Sequence, residues 1–232
     1  AVHLRMFEKN GPAVLFEKVI GSRYRALSNL FGDLERSKFI FRENFISVKE
    51  LIRLRNNPLQ AIKNPFKYGS TAVKALNALP KKSSFPRHQF EEIKISDLPL
   101  IHHWKDDGGA FVTLPQVYTE DLEKPGVMNS NLGMYRVQLN GNDYKLNSEV
   151  GLHYQIHRGI GVHQTKSNSK NFPLKVSVFI GGPPAHSLAA VMPLPEDVIE
   201  LTFAGILNGR RFRYAYHEGY CISLDADFVI TG

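Results

Sequence analysis

Cysteine is nearly absent: Cys221 stands alone among 232 residues. One thiol excludes a disulfide within the chain and a cysteine-rich zinc site, and it suits the reducing cytoplasm. Cys221 lies in Gly219-Tyr-Cys-Ile-Ser, flanked by apolar residues, which reads as a buried structural thiol rather than a nucleophile. No apolar run reaches the roughly 18 residues of a membrane span. The start, Ala1-Val-His-Leu-Arg-Met-Phe7, lacks the long apolar stretch of a signal peptide. Neither a Walker loop nor a GxGxxG fingerprint occurs, and there is no internal repeat. Position 1 is not Met and the first residues read as the middle of a helix, so a longer parent protein is expected.

What is present is an ordinary globular composition, 43% hydrophobic, with a net charge of +7. A basic balance attracts phosphate and carboxylate ligands. The clusters at 53–55, 81–82 and 210–213 are short, and aromatic residues do not interleave with them as stacking platforms would. They read as a solvated surface, and no nucleic-acid role is expected.

Asn10-Gly-Pro ends a first helix, and strand-like runs at 13–19 and 24–30 join around Gly21. Gly32-Asp opens a helical stretch, and Ser47-Val-Lys-Glu50 has capping-box spacing. Between 56 and 90, repeated Asn-Pro and Pro-Lys punctuation breaks the chain into short helical pieces. Beyond it, 111–118, 133–139, 150–157 and 175–180 are β-rich. A short helix with proline in its first turn is expected at 183–190, a second at 196–207 stopped by Asn208-Gly209, and closing strands at 211–216 and 227–230. Many strands with few long helices predict an α+β chain: an N-terminal portion over 1–90 and an antiparallel barrel-like core over 91–232.

Several features stand out on this frame. A strand over 150–157 would put Gly151, His153, Gln155 and His157 on one face beside Arg158-Gly159, either turned to solvent or facing a ligand. A strand through Asn131-Leu-Gly-Met-Tyr-Arg136 would put Arg136 on the face of Leu132, Met134 and Gln138, where a guanidinium needs an anionic partner from ligand or protein. Gly181-Gly-Pro-Pro is either a tight strand-to-helix turn or a close approach to a ligand. Glu200, beside the apolar stripe of its helix, is an exposed helix glutamate or a ligand to a hard metal with the Asn131 oxygen and a histidine.

Ordered along the chain, Gly11-Pro-Ala-Val-Leu-Phe-Glu17, Asn29-Leu-Phe-Gly32, Trp104-Lys-Asp-Asp-Gly-Gly109, Thr113-Leu-Pro115, Asn131-Leu-Gly-Met-Tyr-Arg136, His153-Tyr-Gln-Ile-His-Arg-Gly159, Pro193-Leu-Pro195 and Phe203-Ala-Gly205 resemble the UbiD-type decarboxylases, nearest to their menaquinone-biosynthesis branch. The resemblance implies a split β-barrel like that of flavin reductases, binding prenylated FMN through a divalent metal, Mn2+ or Mg2+, with K+ as a companion ion. By the same resemblance Asn131, Glu200 and His153 (or His157) match metal positions. Asn131, Met134, Tyr135, Arg136, His153, Tyr154, Gln155, Arg158, Gly159, Met192 and Pro193 match cofactor contacts, and Arg136 the active-site arginine. The implied reaction is reversible, non-oxidative decarboxylation of an aromatic or α,β-unsaturated acid such as hydroxynaphthoate or hydroxybenzoate. The implied partners are a flavin prenyltransferase and other copies of the full-length chain. The family's two acids, five apart, follow its closing strand and have no match before Gly232, so a core that binds cofactor without turning over is expected. The alternative is a stand-alone flavin reductase-like module.

Overall fold

The computed structural model describes residues 2–56, 74–157, 159–195 and 198–232. Arg158, Glu196 and the expected turns within 57–73 lie outside the described residues. Helix α1 (Val2–Glu8) stops where Asn10 turns to φ 50°. Strands β1 (Val14–Phe16) and β2 (Ala26–Ser28) form the expected antiparallel pair, with Gly21 at φ 77° between them. Helix α2 (Leu34–Ile40) is capped by Asp33, whose carboxylate accepts the Arg36 N–H at 2.8 Å. Helix α3 (Arg42–Asn56) follows at once and runs through Ser47-Val-Lys-Glu50, so that box is no helix start. The bond from Phe45 N to Phe41 O has already begun the helix upstream, and the buried Ser47 hydroxyl instead accepts from Lys74 Nζ.

Further elements follow in chain order: β3 (Lys81–Lys82), β4 (Gln116–Glu120), β5 (Ser130–Gly133), β6 (Arg136–Gln138), β7 (Gly151–His153), helix α4 (Gly159–Ser169), β8 (Val176–Ile180), α5 (Pro184–Ala189), α6 (Glu200–Asn208) and β9 (Arg213–His217). A hairpin strand β10 (Tyr220–Ser223) and β11 (Phe228–Thr231) then close the chain. The sheets run β11-β8-β4-β5, all antiparallel, then β10-β9-β3, with β3 parallel to β9, and the pair β6-β7. The fold is α+β, and among the described residues these ladders close no barrel. No helix among them is long and apolar enough to cross a membrane.

Strands and helices meet in one core, where Leu132, Phe179, Leu201, Ala204, Phe212 and Cys221 are buried together. Val117, Val137, Leu139, Ile160 and Val178 form a second cluster.

Three expected strands are shorter than their apolar runs. Leu114 at φ 52° breaks 111–118, leaving Phe111 as a single bridge to Gln138. The run 133–139 is split at Met134 and Tyr135, because Met134 N donates to Ala190 O at 2.9 Å rather than to a neighbouring strand. The run 150–157 ends at His153, since Ile156 and His157 turn the chain into α4. Helix α4 and strand β10 were not expected from the sequence.

Candidate functional site

The split between β5 and β6 positions the site. Before it, Asn131 faces Thr119 across the β4-β5 ladder. Its amide donates to Tyr135 Oη at 3.3 Å, and the Tyr135 ring folds back over Gly133, where no Cβ would fit. One residue on, Leu132 N donates to Glu200 Oε2 at 3.1 Å. Glu200 opens α6, so its carboxylate lies at the electropositive end of that helix. Burial nevertheless pushes its pKa up, against the pull of the Leu132 and Glu200 backbone N–H groups. No cationic side chain is paired with it among the described residues. Gly159, the first residue of α4, rests on the same asparagine: a Cβ there would collide with Asn131 Oδ1.

Asn131, Tyr135, Gly159 and Glu200 therefore converge. Tyr135 adds Tyr154, ring to ring at 6.3 Å, and Met134 ties in the segment after α5 that carries the exposed Met192 and Pro193.

After the split a second group forms. Arg136 and His153 are direct partners in the β6-β7 ladder. The guanidinium donates to Asp107 Oδ1 at 2.8 Å and lies 3.9 Å from the Phe111 ring centroid. His153 meets Phe111 edge-on at 6.3 Å. The expectation that Arg136 shares the inward face of Leu132 and Gln138 is corrected. The break at Met134 and Tyr135 resets the alternation, and Arg136 is exposed while Leu132 and Gln138 are buried. Its anionic partner is Asp107, inside the Trp104–Gly109 block. The family resemblance drew on that block without giving Asp107 a role; two adjacent acids before two glycines were the available signal.

The shared face of His153, Gln155 and His157 is corrected likewise, because only residues 151–153 are strand and the other two are exposed in coil and turn. No group of three or more His, Cys, Asp or Glu side chains gathers among the described residues. Asn131 and Glu200 adjoin through Leu132, whereas His153 belongs to the arginine group.

The Gly181-Gly182 turn is a matter of packing. Both glycines have positive φ, and Cβ atoms there would strike Asp227 Oδ2 and Asp225 O. The backbone that approaches them is the chain's own.

A half-buried carboxylate without a counter-charge, an amide oxygen, a helix start and a nearby arginine suit an anionic group bridged by a hard cation. Comparisons with known proteins agree with that chemistry. Over its whole length the chain is 39% identical to a component of the 4-hydroxybenzoate decarboxylase of Chlamydia pneumoniae, covering 39% of that relative. It is 34% identical to an uncharacterized protein of Chlamydia trachomatis serovar D, covering 40% of it. Among solved structures, the whole chain superposes on 48% of the vanillic acid decarboxylase (ShVdcCD) chain of Sedimentibacter hydroxybenzoicus in closed form, with TM-score 0.75 and 23% identity. It covers 48% of the UbiD-class enzyme HmfF of Pelotomaculum thermopropionicum in complex with FMN, with TM-score 0.73 and 20% identity. Residues 1–55 match the 3-octaprenyl-4-hydroxybenzoate carboxy-lyase N-terminal domain. Residues 77–232 match the Rift-related domain of the same carboxy-lyase, and the chain belongs to the UbiD family.

Proposed function

We propose that this chain is the cofactor-holding core of a prenylated-FMN-dependent decarboxylase. The observation that carries the reading is the convergence of Asn131, Gly159 and the uncompensated Glu200 carboxylate on one spot. On this reading Asn131 and Glu200 hold Mn2+ (or Mg2+), with His153 brought in from the arginine group and K+ as a companion ion. The free N–H groups at the start of α4 face the cofactor phosphate. Met134, Tyr135, Tyr154, Gln155, Arg158, Met192 and Pro193 line the flavin. The sheet β11-β8-β4-β5 with β6-β7 and β10-β9-β3 forms a split barrel over 91–232, and β3 fastens the 1–90 portion to it.

When bound, the cofactor supplies the electron sink for loss of CO2. The protein holds the acid: Arg136, already poised against Asp107, orients a carboxylate by charge-assisted bonds. The net change replaces the carboxylate by a proton, and a general acid must deliver that proton.

The substrate class is an aromatic acid of the hydroxybenzoate or hydroxynaphthoate type in quinone biosynthesis. A flavin prenyltransferase supplies the cofactor in the cytoplasm, and the full-length protein is a homo-oligomer. The test is expression of the full-length protein with a flavin prenyltransferase and Mn2+, followed by CO2 release from a panel of these acids. Release from at least one supports the reading. Bound flavin with no release, or hydride transfer from a nicotinamide instead, favours a flavin reductase-like module.

A further inference from the structure

Helix α4 is held in an unusual way. Its sequence, Gly159-Ile-Gly-Val-His-Gln-Thr-Lys-Ser-Asn-Ser169, carries no apolar stripe, and its buried positions are Ile160, Gly161, His163 and Ser167. One isoleucine contributes about 1.5–3 kcal/mol of burial, a non-directional attraction that does not by itself fix how a helix is rotated. Polar contacts supply that direction. Three positions at i, i+4 and i+7, which share one helix face, each meet a partner on the β4-β5 side. Gly159 abuts Asn131 on β5. His163 Nδ1 and Thr119 Oγ1 are hydrogen-bonded at 2.9 Å, with both residues buried. Lys166 Nζ donates to Asp121 Oδ2 at 2.6 Å. Thr119 is the residue paired with Asn131 across the ladder, so the anchor and the candidate ligand are locked in one register.

We infer that His163, through its buried bond to Thr119, is a positioning residue that sets the start of α4 against Asn131 for the anionic group of the flavin, with Lys166–Asp121 as an outer anchor. The inference rests on the flavin-binding reading above. Burial holds the His163 pKa below its usual value, with Lys166 acting in the same direction and Asp121 and Glu120 opposing it. The ring therefore serves as a neutral hydrogen-bonding group. An asparagine amide can place a polar atom where Nδ1 stands, which separates loss of the bond from loss of the ring.

The test is FMN titration of the apo full-length protein with Mn2+, read by flavin fluorescence, together with amide hydrogen exchange over residues 159–163. His163→Ala and Thr119→Val should each weaken FMN binding about tenfold, the affinity equivalent of one lost buried hydrogen bond. The double variant should be no weaker than either single one. His163→Asn should bind near the wild-type level, and exchange over 159–163 should quicken in the first two variants and recover in the third. If His163→Ala fails to fold, Thr119→Val and His163→Asn carry the same contrast. Wild-type affinity in Thr119→Val, or no recovery in His163→Asn, overturns the positioning role alone. Failure of the wild-type protein to bind FMN overturns the flavin reading and this inference together.

Discussion

Arg136 holds two partners at once, the Asp107 carboxylate and the Phe111 ring, while half of its side chain stays open to solvent. Such a guanidinium is oriented before any ligand arrives. Arg136→Ala in the full-length enzyme should lower turnover on the order of 100-fold, as misplacement of a substrate does, with flavin absorbance nearly unchanged; steady-state rates against bound flavin decide it. Glu200 gives a second prediction, with an opposite sign for stability and for binding. Because burial raises its pKa, the folded protein holds this proton more tightly than the unfolded chain does. The destabilisation is absent below the ordinary value of 4.5 and complete once pH exceeds the raised value. Apo Glu200→Gln should therefore melt above the wild type at neutral pH, with the gap closing toward pH 4.5 and below. The same variant, like Asn131→Ala, should lose manganese and flavin together, measured by metal analysis and absorbance.

The helix that presents Gly159 shows what the sequence concealed. Its residues lack the apolar period by which α6 was legible, because α4 is fixed by His163, Lys166 and a glycine contact rather than by a hydrophobic face. The six-residue α5, with Pro184 in its first turn, and the end of α6 at Gly209 were readable, since proline and glycine act through their own backbone. The ends of 111–118, 133–139 and 150–157 were not, because the breaks arise from Leu114, from the Met134–Ala190 bond and from the turn into α4. The site followed the same division: Asn131 and Glu200 were found and do adjoin, whereas Asp107 and His163 become visible only when distant segments meet. Gly159→Ala tests the tightest of these junctions. Its methyl group would enter the space of Asn131 Oδ1, so a loss of about 1–3 kcal/mol is expected in denaturant unfolding, accompanied by weaker flavin binding.

Taken whole, the described chain draws its stability from the junction of the β11-β8-β4-β5 sheet with α6, where Phe179 and Leu201 are all but fully buried. Phe179→Ala should remove about 3–5 kcal/mol, seen as a lower denaturant midpoint. The fold also gathers charge that is dispersed in sequence. Lys81 pairs with Arg213 in the β3-β9 ladder, and Arg210 and Arg213 share the single Asp225 carboxylate.

On the neighbouring strand β10, Cys221 lies 3% exposed beside Tyr118, its pKa pushed up to about 12 by burial. At neutral pH such a thiol is almost wholly protonated and shut away from reagents. With one thiol per chain, the pace at which a thiol-reactive dye labels the protein becomes a clock for the opening of the core. Bound cofactor should slow that clock in proportion to how firmly it clasps the folded state.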